Sequence, residues 1–243
     1  MPARRWRFDF LTVNLVNFLE IFMSEIRTAR FAAPDEAREK YDAIIPAYQA
    51  AFAAEPWYEV SKCGGCSSGY SRQNPGDICQ ACGSVTGDEA YTEQELTEKF
   101  DAIGETRPAC WYIEETPAGL ALAAVAWTAD PIQIAAEKYP GSLEMAAWLK
   151  QKYAPTAAPN PEILWLDEVF ADRQVSRRNN LVNFRSMVYG FSSRLDQTKV
   201  AYRTIVPAMT RVAMRDFGDG ATIDKAKSDV PDWRNFVSID LSR

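Results

Sequence analysis

Two cysteine pairs constrain this chain more than any other feature. Cys63-x2-Cys66 and Cys79-x2-Cys82 stand twelve residues apart in the stretch CGGCSSGYSRQNPGDICQACG and hold four of the five cysteines. Each pair lets a tight turn aim two thiolates at one centre while backbone N–H groups point towards the sulfurs. Gly64, Gly65 and Gly83 supply the permissive backbone that such turns need. The intervening length suffices for one short hairpin that gathers four sulfurs into a tetrahedron. That is the spacing of a zinc ribbon, here over about residues 60–88. A four-cysteine site keeps no open position for water or substrate, so Zn2+ held there is a structural ion. Disulfides and a rubredoxin-like iron are the rival uses of the same thiols, since iron accepts all-sulfur tetrahedral geometry too.

The chemistry must then lie elsewhere, and composition narrows the search. The 243 residues include no histidine, which removes Ser-His-Asp and Cys-His nucleophile systems and every His-ligated metal site. A chain of this length that is 47% hydrophobic can bury a full core in one domain carrying insertions. The net charge of −6 argues against a nucleic-acid partner held by a general positive field. Thiol pairs beside an unpaired Cys110 point to a reducing compartment, the cytoplasm. Cys110 itself, at the start of a strand with no histidine to activate it, reads as a small buried apolar residue.

Residues 1–22 open with arginines and run apolar. Asp9, Asn14, Asn17 and Glu20 interrupt the run, and no small-residue cleavage site follows closely, so it fits neither a signal peptide nor a membrane span. Met23 begins MSEIRTARF, an ordinary domain start, and residues 23–243 are expected to form the domain. The preceding segment is either an extension from an upstream start codon or a docking helix with Leu11, Leu15, Phe18 and Phe22 at helical spacing.

Along the domain, Ile26–Phe31 alternates weakly as a strand, and 34–54 carries a helical stripe with Pro46 as its kink. After the cysteines, Thr92-Glu-Gln-Glu95 is a capping box, starting a helix that Gly104 is expected to end. Ala109–Glu115 and Leu120–Thr128 read as a hairpin turning at Thr-Pro-Ala-Gly. A helical insertion over about 131–161, with Met145, Trp148 and Leu149 inward, precedes a central strand at Ile163–Phe170. Then come a helix at Leu181–Leu195, a strand at Val200–Ile205, a helix at Met209–Phe217 and a last strand at Arg234–Leu241. This order predicts an α/β fold with a mixed sheet.

With these elements in place, the chain resembles the GNAT acetyltransferase superfamily over roughly residues 24–240, with the zinc ribbon as an insertion. Three stretches carry the resemblance: Tyr48-Gln-Ala-Ala-Phe52-Ala-Ala-Glu55-Pro56-Trp57-Tyr-Glu59, Trp165-Leu-Asp-Glu168-Val-Phe-Ala-Asp-Arg173, and Arg203-Thr-Ile-Val-Pro-Ala-Met with Phe217-Gly218. It implies a GNAT-like mixed β-sheet flanked by helices, with acetyl-CoA as donor and an amine as acceptor. The second stretch would run into the family's pyrophosphate loop. There Arg173-x-x-Ser176-x-Arg178 and Gln174-x-x-Arg177-x-Asn179 are the two available registers, and neither contains the family's glycines. Ser176 and Asn179 can still cap a helix whose N-terminus receives phosphate, and Arg173, Arg177 and Arg178 add positive charge there.

The resemblance also implies a backbone N–H near Val169 and Phe170 for the thioester carbonyl, and Glu168 as the carboxylate that takes the amine's proton. Adjacent strand residues face opposite sides, so only one of Asp167 and Glu168 is expected on the acceptor face. The family's general-acid tyrosine, four residues before the closing glycine, is Met214 here, and that role is not carried over. Tyr202 reads as core. Trp57, Tyr58, Trp111, Tyr112, Trp127 and Trp165 are numerous enough to line a pocket, although burial alone accounts for most aromatics. Two functions follow: an acyl-CoA-dependent N-acyltransferase, or a non-catalytic GNAT-like protein whose zinc ribbon docks a protein or RNA. Neither fixes the acceptor, and a homodimer is left open.

Overall fold

Apolar and aromatic strands assemble, in the computed structural model of this chain, into one seven-stranded sheet; the structure describes residues 27–66, 69–153, 162–171, 175, 183–225 and 234–242. The first half contains β1 (Thr28–Ala32), α1 (Pro34–Arg38), α2 (Tyr41–Ala53), β2 (Ser61–Lys62), β3 (Tyr70–Ser71), α3 (Glu93–Thr106), β4 (Ala109–Thr116) and β5 (Gly119–Ala129). The second contains α4 (Pro131–Lys138), α5 (Leu143–Lys152), β6 (Ile163–Ala171), α6 (Phe184–Leu195), β7 (Lys199–Thr204), α7 (Pro207–Phe217), β8 (Ala221–Asp224) and β9 (Asn235–Asp240). The sheet order is β1-β4-β5-β6-β7-β9-β8, and β6 with β7 is its parallel pair. The cysteine stretch stands apart as the two-stranded hairpin β2–β3.

Helices cover both faces, which is why Leu120–Ala129 can be apolar without alternation. On one face Trp111, Val125, Trp127 and Trp165 pack against Ile44 and Tyr48 of α2, Phe100 of α3 and Ile134 of α4. On the other, Tyr112, Leu164 and Tyr202 meet Phe184, Val188 and Phe191 of α6 and Val212 of α7. Among the described residues no helix is long and apolar enough to cross a membrane.

Most expected elements form, with instructive departures. The capping box does start α3: Thr92 Oγ1 accepts from Glu95 N–H at 3.2 Å, and Thr92 N–H donates to the Glu95 carboxylate at 3.1 Å. Gly104 does not end that helix, which runs on to Thr106. A Cβ at 104 would lie 2.5 Å from Pro34 Cβ, so the glycine allows α1 to pack closely against α3. The stripe over 34–54 breaks at Glu39–Lys40, and Pro46 stays inside α2. The short edge strand β8 was not expected. Residues 1–22, 154–161 and 172–174, and the expected start of α6 at 181–182, lie outside the described residues.

Two irregularities in β6 create the site. Val125 of β5 pairs with Glu168 and Ala126 with Leu166, leaving Asp167 as an extra residue in a β-bulge. The alternation slips there by one step. The second irregularity is that β6 and β7 pair only at Leu164↔Val200 and Trp165↔Ala201, after which no pairing joins them.

Candidate active site

A cleft of about 1220 Å3 opens where β6 and β7 part. Leu166–Val169 line one side, Tyr202–Thr204 the other, and the segment after α2 together with the cysteine hairpin closes over it.

The bulge corrects the expectation that only one of two adjacent carboxylates can face the acceptor side. Asp167 accepts from the indoles of Trp127 (3.2 Å) and Trp165 (3.0 Å) and pairs with Lys138 Nζ at 2.5 Å. Glu168 pairs with Lys99 Nζ at 2.5 Å and accepts from Tyr48 O–H at 3.3 Å. These partners all belong to the face covered by α2, α3 and α4, so both carboxylates reach the same side. Lys99 also donates to the Tyr48 hydroxyl at 3.0 Å.

The electrostatics separate the acids. Burial pushes the Asp167 carboxyl up, but Lys138 and Lys99 overcome it and hold the group down at about 2. Asp167 is therefore a fixed anion and a poor base. Burial by itself lowers the pKa of Lys99; Glu168 and Asp167 outweigh this and raise it. Burial is also the main reason Tyr48 titrates well above the ordinary tyrosine range, with Glu168 adding to it.

Glu59 behaves differently. Tyr58 adopts φ +54, an uncommon left-handed value for an aromatic residue, and turns the chain so that Glu59 N–H donates to Phe52 O at 2.9 Å. Glu59 then faces the cleft and accepts from the Tyr91 hydroxyl. Burial lifts its carboxyl above the usual range; Tyr91 and Arg234 counteract this only in part. Nothing local to the Tyr48–Glu59 stretch assigns Glu59 this place, because its neighbours in the cleft come from chain segments distant in sequence.

Aromatic side chains form the remaining wall. Tyr48 stacks on Phe52 at 4.3 Å, Phe52 meets Trp57 at 5.2 Å, and Tyr91 lies edge-on to Tyr48 at 5.2 Å. Trp57 and Tyr58 line the cleft, whereas Trp111, Trp127 and Trp165 are core residues. Tyr202 also borders the cleft, but its hydroxyl is spent on Met209 O at 2.9 Å. Met214 is exposed on α7 and takes no part in the cleft.

The turn of the β2–β3 hairpin and the later turn closed by the Ile78–Val85 bridge together bring the Sγ atoms of Cys63, Cys66, Cys79 and Cys82 within 4.8 Å of one another. Cys63 and Cys82 approach to 3.4 Å and Cys66 and Cys79 to 3.5 Å, as free thiols rather than disulfides. A tetrahedral ion with bonds of about 2.3 Å needs sulfur–sulfur edges of roughly 3.8 Å, a few tenths longer than these two approaches and inside the 4.8 Å limit of the cluster. Ser71 and the N–H groups of Cys82 and Ala81 draw the Cys79 thiol down to about 6, while hydrogen bonding with Cys79 and the other thiols pushes Cys66 up to about 12. Gly83 takes φ +76 at the second turn, and a Cβ at Gly65 would press within 2.7 Å of Cys82 Sγ. Cys110 is buried away from the cluster, and burial raises its thiol to about 11.

Of the other expected site residues, Val169 lines the cleft and Phe170 is buried beneath it, 5.1 Å from the Tyr48 ring. Arg173, Gln174, Ser176, Arg177, Arg178 and Asn179 lie outside the described residues.

No protein-family model matches the chain, and no curated protein matches it in sequence. Solved structures do share its fold. The mosquito arylalkylamine N-acetyltransferase-like 5b superposes with a TM-score of 0.51 at 10% identity, over 89% of this chain and 100% of that one. FeeM, an N-acyl amino acid synthase from uncultured soil microbes, gives 0.50 at 12% identity, over 90% and 92%. The expected mixed sheet flanked by helices is the observed architecture, and these two structures share it.

Proposed function

We propose that the chain is an acyl-CoA-dependent N-acyltransferase, with acetyl-CoA as donor and an amine that attacks the thioester directly. The parting of β6 from β7 carries this reading. It leaves strand backbone beside Val169 and Phe170 without a β7 partner, at the floor of a cleft large enough for a thioester and an acceptor. An N–H there would stabilise the oxyanion as the amine adds to the carbonyl. Two carboxylates face the reacting region. Glu168 is engaged by Lys99 and Tyr48 and positions them, while Glu59, with its raised affinity for protons, takes the amine's proton directly or through water. The pyrophosphate is assigned to Arg173, Gln174, Ser176, Arg177, Arg178 and Asn179, ahead of α6.

Saturating acetyl-CoA is expected to stabilise the protein by about 2–3 kcal/mol at a hundredfold excess over Kd, read as a rise in Tm. Arg173→Ala with Arg178→Ala should remove most of that shift. No shift, together with no amine-dependent release of coenzyme A, would defeat the proposal.

The four cysteines are assigned to one structural Zn2+. A strong chelator is expected to release about one metal per chain and to speed hydrogen exchange over residues 60–88. The seven-stranded sheet should stay protected, because the hairpin contributes none of its strands. Loss of protection throughout the sheet would show that the metal supports the whole fold.

A non-catalytic docking role has one observation in its favour: Ile78 and Val85 pair across the turn that carries Cys79 and Cys82 while 59% and 64% exposed. That reading assigns no task to the charged cleft. Abundant binding of acetyl-CoA without any turnover would favour it.

A further inference from the structure

The cleft carries a charge opposite to that of the chain. Among the described residues that line it, Arg72, Lys99, Lys138, Arg203 and Arg234 are cationic, and Glu59, Asp167 and Glu168 are anionic. A surplus of two positive charges thus sits in a protein of net charge −6. The carboxylates are engaged: Asp167 with Lys138 and two indoles, Glu168 with Lys99 and Tyr48, Glu59 with Tyr91. An acceptor with a positive charge and nothing else would add like charge to this site.

Nor does the surplus lie on the sheet face covered by α6, the helix that follows in sequence the residues assigned to the donor's phosphates. Lys99 belongs to α3 and Lys138 to α4, on the face opposite α6. Arg203 donates to Lys138 O at 3.1 Å and, two residues along β7 from Ala201, shares that residue's face. Arg234 acts on Glu59. Arg72 comes from the cysteine hairpin, directly after β3, with its guanidinium 3.9 Å above the Tyr58 ring. Stacking occupies the guanidinium face, and the N–H edge is the part that grips a carboxylate in a two-point contact. Tyr58 holds its left-handed backbone beneath this arginine, a strained arrangement of the kind that collects at ligand sites.

We infer that the acceptor is an amine that also carries a carboxylate on an apolar body, an amino-acid-like compound, and that Arg72 of the four-cysteine hairpin reads the acid. The inference rests on the transferase reading and names its substrate class. The amine points to Glu59 and the thioester, the carboxylate to the arginine side, and the apolar body lies along Phe52, Trp57 and Tyr58. The hairpin, on this account, is a wall of the acceptor site as well as a metal-held staple.

L-Phenylalanine and 2-phenylethylamine differ only in the carboxylate and make the test. Calorimetry on the full chain with coenzyme A bound should show phenylalanine binding about tenfold or more tightly than the amine, as expected of a charge-assisted contact. Arg72→Ala should collapse that ratio towards one, Arg72→Lys should restore part of it, and both should bind coenzyme A as the parent does. Equal binding of the two probes, tighter binding of the amine, or no binding of either overturns the inference. A weaker grip on coenzyme A in Arg72→Ala also overturns it, by placing the arginine on the donor. None of these outcomes touches the transferase reading, which fails separately if acetyl-CoA neither binds nor is consumed with any amine.

Discussion

Glu59→Gln is expected to lower kcat for acyl transfer by about 100- to 1,000-fold, the contribution of a positioned general base, while binding of acetyl-CoA is preserved. The wild-type rate should fall on the acid side along a limb set above the ordinary glutamate range, because burial raises this carboxyl. The variant should lack that limb. Stability supplies an independent sign. A carboxyl with a higher pKa in the fold than in the open chain costs stability when ionised in both states, at pH above the folded value. That cost fades as pH falls through the folded value and is gone below the unfolded one. Glutamine keeps an acceptor for the Tyr91 hydroxyl without the buried charge, so the variant should be no less stable than the parent at pH 7. A variant that keeps activity within threefold, or retains the acid limb, would move the base elsewhere, with Glu168→Gln the next to measure.

Asp167→Ala should act on the fold instead. It would strand the Lys138 ammonium, whose side chain is 18% exposed, and two buried indole N–H groups. Breaking one half of a buried pair costs about 3–5 kcal/mol, which a denaturant midpoint resolves easily. The pH dependence has the opposite sign to that of Glu59. Asp167 is held down at about 2, below its ordinary 3.8, so its contribution is complete above the unfolded value. That contribution, roughly 2 kcal/mol, is lost as pH falls from about 4 through 2. Parent and variant should therefore draw closer in stability at low pH by about that amount. A cost under about 1 kcal/mol at pH 7 would mean that the indoles and Lys138 find other partners, and that the bulge does not depend on this anion.

The sheet, the helices on its faces and the capping box at Thr92 were legible in the residues because each rests on a short-range pattern. The sulfur cluster was legible for the same reason: the spacing of two turns sets where four thiols can go. By contrast, Asp167 and Glu168 share a side only because β5 pairs with β6 out of step, and no property of residues 163–171 taken alone announces that slip. Lys99 and Lys138, 69 and 29 residues from their carboxylate partners, were invisible until helices packed on the sheet. Glu59 and Arg72 belong to the same class, since their surroundings come from chain segments distant in sequence. Local patterning thus determined the elements and the clustered thiols of this protein. Tertiary packing decided which charges meet, because burial and Coulomb forces act between neighbours in space, whatever their separation along the chain.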